Sequence, residues 1–133
     1  MFFNKPVKDI ISFDLRYTYN NSKDGFVEYI ILKGDNEYGA SVKLRDESAE
    51  ERREFPVSRE NVLRLEEIIN RYKVGRWDGF HRSNKRVLDG NSFSLSIKTE
   101  SGVTVSANGY MSYPSKYKEF RQEIDDLFLN MVY

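Results

Sequence analysis

The chain has 133 residues, 39% of them hydrophobic and 14% aromatic, with 21 basic side chains balanced by 21 acidic ones. That is enough apolar material for one folded domain, and it excludes a disordered chain, which needs low hydrophobicity and usually a large net charge. The absence of cysteine excludes disulfides, thiolate catalysis and cysteine-ligated zinc, while neutrality removes any global pull toward nucleic acid or an anionic membrane.

Residues 1–17 hold no apolar run of signal-peptide length, and no later segment approaches a membrane span, so the expected location is the cytoplasm. From Ile11 onward the chain alternates with period two. Ile11, Phe13, Leu15, Tyr17 and Tyr19 face one way, and Ser12, Asp14, Arg16 and Thr18 the other, which predicts a half-buried strand. NNSKDG at 20–25 is a turn, FVEYIILK at 26–33 a second strand, and GDNEYG at 34–39 another turn. Ala40, Val42 and Leu44 alternate with Ser41, Lys43 and Arg45 to give a third strand. The charged run at 46–54 reads as a solvated connection, with Phe55 and Val57 adding a short strand or leading into a helix.

Ser58 follows Pro56 as an N-cap, and Glu60 suits the positive end of a helix. Val62, Leu65, Ile68, Ile69 and Tyr72 then form an apolar stripe at helical spacing, with Gly75 expected as the left-handed residue that ends it. The strand period returns at Phe93, Leu95 and Ile97; TESG turns; and Val103, Val105 and Ala107 continue until Asn108-Gly109. Pro114 suits a first helical turn, before a second stripe of Tyr117, Phe120, Ile124, Leu127, Phe128 and Met131. The order predicts a single α+β domain over 1–133: an antiparallel sheet of about five strands (β-β-β-α-β-β-α) with two amphipathic helices packed on one face. Matching hairpin-then-helix halves also leave room for an internal duplication.

Known chemistries find little support. His81 is the only histidine, no EF-hand or phosphate loop is present, and no G-x-S-x-G elbow occurs, so no metal, cofactor or catalytic residue is assigned. The paired carboxylates fall on charged linkers and polar helix faces, and Asp14 on the polar side of its strand, where solvation accounts for them. Charge patterning is the remaining signal. From 71 to 86 six basic residues face the single acid Asp78, with Tyr72, Trp77 and Phe80 interleaved. Aromatic and basic side chains together are the ingredients of single-stranded nucleic-acid binding.

The structural account of that segment is a plug. Trp77 and Phe80 flank the turn dipeptide Asp78-Gly79 and point back over one end of the core, and Asp89-Gly90 turns into the next strand. This explains Gly75, Trp77, Gly79, Phe80, Asp89 and Gly90; the binding account explains only the charges.

W-x-G-F at 77–80, D-G-x-S-F at 89–93 and G-Y-x-x-Y-P at 109–114 resemble a pattern in small bacterial proteins of unknown function. The likeness spans about half the chain, is carried by Trp77, Gly79, Phe80, Asp89, Gly90, Ser92 and Phe93, and implies no activity. The reading that follows is a non-enzymatic domain that binds another protein, or its own copy through a sheet edge, since Tyr and Arg are favoured in interface hot spots. Candidate contacts are Arg76, His81, Arg82, Lys85 and Arg86, with Tyr110, Met111 and Tyr113 as a second aromatic group. Two alternatives stay open: polyanion binding through 71–86, and an enzyme acting on an acidic small molecule. Nucleic acid is disfavoured by the neutral charge, and no membrane partner is expected.

Overall fold

The computed structural model describes residues 6–19, 24–84, 86 and 90–133. The elements run β1 (Ile10–Thr18), β2 (Phe26–Lys33), β3 (Tyr38–Lys43), β4 (Arg53–Val57), α1 (Arg59–Arg71), β5 (His81–Ser83), β6 (Ser92–Thr99), β7 (Thr104–Tyr110) and α2 (Tyr117–Val132). The fold is α+β, with one sheet in the order β4-β3-β2-β1-β6-β7-β5. Among the described residues the sheet has seven strands and is mixed, so the expectation of about five antiparallel strands is corrected twice. Phe55 and Val57 do belong to a strand, β4, which pairs with β3. The other addition is β5, which runs parallel to β7 in the register His81↔Asn108, Arg82↔Gly109 and Ser83↔Tyr110. All three β5 residues are exposed, so no buried alternation marked them in the sequence.

Period-two patterning decides which sheet face is covered. Phe13, Leu15 and Tyr17 of β1, Tyr29 and Ile31 of β2, Val42 of β3, Leu95 and Ile97 of β6, and Val105 of β7 are buried in one core with both helices. The opposite face carries Ser94, Ser96, Lys98 and Ser106, all exposed. One detail of β1 departs from the alternation. A bulge lies between Ile10 and Ser12, so Ile10 points into the core and Ile11 is left 37% exposed.

The helices form where their stripes predict. The Ser58 side chain accepts from the Asn61 N–H at 3.2 Å, and Val62, Leu65, Ile68 and Ile69 line the buried face of α1. Its end differs from expectation: α1 stops at Arg71, and Lys73, not Gly75, takes the left-handed conformation at φ 54°. Leaving the helix early lets the 3₁₀ turn Val74–Trp77 carry Val74, Gly75 and Trp77 inward. α2 begins at Tyr117 behind a left-handed Lys116, so Pro114 precedes the helix instead of opening it. Strand β7 continues through Asn108 and Gly109 to Tyr110.

Candidate functional site

The Trp77 segment is built by local rules. Asp78 (φ −55°, ψ 128°) and Gly79 (φ 87°) make a type II turn closed by Phe80 N–H donating to the Trp77 carbonyl at 2.9 Å. The turn is then sewn to β7. Gly79 N–H donates to the Ser106 carbonyl, Ser106 N–H to Asp78 Oδ1, and Asn108 N–H to the Phe80 carbonyl, at 3.0, 2.9 and 2.8 Å. Trp77 is 6% exposed and meets Phe120 edge-on at 5.1 Å, while Phe80 is half-buried against Phe93. Gly90 N–H donates to the Tyr110 hydroxyl at 2.8 Å. Asp89 lies outside the described residues.

The basic candidates do not converge. Arg76 is exposed on the 3₁₀ turn, and Arg86 is exposed beyond β5. His81 and Arg82 are exposed neighbours on β5, so they leave opposite faces of that edge strand; the Arg82 guanidinium lies 5.2 Å from the Phe80 ring centroid. Lys85 lies outside the described residues. The second aromatic group also divides. The Tyr110 hydroxyl is tied to Gly90, Met111 is 37% exposed with φ 48°, and Tyr113 enters a cleft.

That cleft, of about 530 Å³, lies between the end of β1 and the start of α2. Tyr17, Tyr19, Tyr113 and Tyr117 supply its aromatic walls, and Arg45, Lys116, Lys118 and Arg121 face the lone acid Glu119. A second hollow of about 400 Å³ continues from it, the two sharing Tyr17, Arg45 and Arg121. Among the described residues Arg45, Lys116 and Lys118 make no ion pair; Arg45 instead lies 4.1 Å from the Tyr19 ring centroid. The second hollow contains a carboxylate that fixes this wall. Asp125 accepts from the Tyr17 and Tyr29 hydroxyls at 2.7 and 2.6 Å and sits 3.5 Å from Arg121. Burial, then the Asp125 hydrogen bond, pushes Tyr17 up to about 12, and burial raises Tyr29 further. Both phenols therefore remain protonated donors at neutral pH.

The cleft is not legible in the sequence because its walls come from four separate segments. One signal was available. The first turn of a helix favours acids, yet Lys116, Lys118 and Arg121 crowd the start of α2. The expectation that every carboxylate is simply solvated also fails at Asp14. Burial, then hydrogen bonding to Glu28 and its charge, raises Asp14 to about 7 against the opposing pull of Arg52 and Arg16. Asp14 lines neither hollow.

Among the described residues no group of three or more His, Asp or Glu is placed to hold a metal ion, and no helix is long and apolar enough to cross a membrane. No protein-family model matches the chain, and comparison with characterised proteins gives no significant match.

Proposed function

We propose that this is a non-enzymatic binding domain whose cleft receives an acidic segment of a partner protein. The observation that carries this reading is the meeting of four tyrosines with four cations, three of them free of ion pairs among the described residues, in one concave site. Tyr and Arg combine large contact area with directional donors, which is why they dominate interface energetics. Continuity of the cleft with the second hollow favours an extended chain over a compact small molecule. The anionic character of the partner follows from the charge of the walls, and steering by those charges gives a salt-dependent association.

A separate partner is favoured over strand pairing with a second copy. The two sheet edges are β4, which carries Pro56, and the three-residue β5, and both are poor templates for edge-to-edge pairing. A cysteine-free chain suits a reducing interior, and the cytoplasm is where we place this binding. The grouping suggested by W-x-G-F and D-G-x-S-F is compatible with the same reading: among its described residues Trp77 packs on α2, Gly79 and Phe80 bond to β7, and Ser92 lines the cleft.

The test is fluorescence anisotropy with a labelled random copolymer of glutamate and tyrosine. Binding at low ionic strength should weaken as salt is added, and Arg45→Glu with Lys118→Glu should weaken it by about tenfold or more. No binding at low salt would end this reading. Equal or tighter binding of a single-stranded thymidine oligonucleotide would replace it with the polyanion alternative.

A further inference from the structure

Tyr117 is 6% exposed, yet among the described residues its buried hydroxyl oxygen has no hydrogen-bond partner. Nearly all buried polar groups in native proteins are satisfied, and an exception needs an explanation in function or chemistry. Tyr117 lies in the wall of the cleft, and its ring packs against three others, stacked on Tyr113 and tilted to Phe93 and Trp77. Phe93 is 4.6 Å away, Tyr113 4.9 Å and Trp77 6.2 Å, between ring centroids. Phe93 and Trp77 are core residues, whereas Tyr113 is 39% exposed. Only Tyr113 can leave the stack without opening the core.

The backbone around Tyr113 is suited to such a movement. Met111 and Lys116 both hold left-handed conformations, at φ 48° and 68°, so the segment between them is bracketed by two non-glycine residues in a costly region. The Tyr113 hydroxyl donates one long hydrogen bond, 3.3 Å, to the Asn91 carbonyl. Arg121 follows Tyr117 by one helical turn and so shares its face of α2. Both residues line the cleft, and the Arg121 charge opposes the burial that raises the Tyr117 pKa. Arg121 is itself steered by Asp125 at 3.5 Å and by the Tyr17 ring at 4.8 Å.

We propose that Tyr113 is a lid over Tyr117, and that the Tyr117 hydroxyl and the Arg121 guanidinium form the specificity-determining donor pair for a carboxylate of the partner segment. This rests on the cleft being the binding site. An incoming aromatic side chain takes the place of Tyr113 on the Tyr117–Phe93 pair, and a neighbouring Asp or Glu accepts from both donors. A site that leaves a buried donor waiting discriminates strongly against ligands lacking the acceptor.

Tyr117→Phe removes only the hydroxyl, and Trp77, beside Tyr117, supplies an intrinsic fluorescent reporter. The wild-type protein should bind the glutamate–tyrosine copolymer with a change in Trp77 emission. Tyr117→Phe should melt at or above the wild-type temperature while its affinity falls by about tenfold or more, the loss expected for a hydrogen bond to a charged group. Wild-type affinity in Tyr117→Phe would overturn the donor role and leave the cleft standing. A clearly lower melting temperature would overturn it as well, by showing that the hydroxyl has a structural partner. If the wild-type protein itself fails to bind at low salt, the cleft and the donor pair fall together.

Discussion

Tyr17 and Tyr29 stand on adjacent strands and donate to the same oxygen, Oδ1 of Asp125, at 2.7 and 2.6 Å. Through that atom α2 is fastened to β1 and β2, and the Phe128 ring completes the join by stacking on Tyr29 at 4.4 Å. Asp125→Ala leaves two buried phenols unpaired, and at about 1–3 kcal/mol for each unsatisfied group the loss should be about 2–4 kcal/mol, since one flank opens to the cleft. Urea denaturation measures it. Tyr17→Phe should cost about 1 kcal/mol in the wild-type background and close to nothing once Asp125 is gone. Additive losses would mean that the three groups do not act as one network.

Asp14 gives the stability curve a slope in pH. Its folded pKa of about 7 lies above the ordinary value of 3.8, so between those values the folded state holds a proton that the unfolded chain has released. Stability contributed by the protonated carboxyl is therefore complete at acid pH, declines as pH rises from about 4, and is lost above about 7. Glu66, raised chiefly by burial, acts in the same direction, and Glu123, lowered chiefly by the Tyr72 hydrogen bond, acts in the opposite one. Asp14→Asn isolates the contribution of Asp14. Its urea midpoint relative to wild type should improve from pH 5 to pH 8, a range chosen to span roughly the upper part of that transition. A constant difference across the range would assign Asp14 an ordinary titration.

The helices were legible because their apolar residues repeat over many turns and their caps are local. Ser58 and the stripe Val62, Leu65, Ile69 needed nothing from elsewhere in the chain. Strand β5 was not legible, because His81, Arg82 and Ser83 are all exposed and are held by the backbone of β7, whose position only the folded sheet defines. The same reason hid the cleft. Tyr17, Arg45, Ser92 and Arg121 belong to a strand, a post-strand turn, a second strand and a helix, and proximity among them is tertiary. Gly75 misled because glycine is the usual left-handed terminator, whereas here the need to bury Val74 and Trp77 ends the helix sooner, at a lysine.

Two glycines that look alike in sequence should respond differently to alanine. Gly79 has φ 87° with open space where a Cβ would stand, so Gly79→Ala carries only the conformational cost, about 1–2 kcal/mol. Gly109 has no such backbone requirement. A Cβ there would run into the Ser112 carbonyl and come within 2.8 Å of Phe93 Cε1. Gly109→Ala should therefore cost about 1–3 kcal/mol or more and shift the segment that carries Tyr113. The discriminating measurement is binding to the copolymer: Gly79→Ala should retain the wild-type affinity and Gly109→Ala should lose it.

Trp77 decides whether the basic segment is architecture or a recognition surface. Its ring is 6% exposed and packed on Phe120 and Tyr117, while Arg76, His81 and Arg82 remain outside. Iodide should quench the folded protein far less than the urea-unfolded chain, because a charged quencher does not enter a close-packed core. Trp77→Ala should cost about 3–5 kcal/mol, the loss typical of emptying a large aromatic site. Arg76→Glu together with Arg82→Glu should leave both stability and copolymer binding nearly unchanged, since neither residue lines the cleft. If that double charge reversal abolished binding while the iodide result held, the ligand would have to lie along β5 and the edge of β7, and the cleft beside α2 would lose its claim.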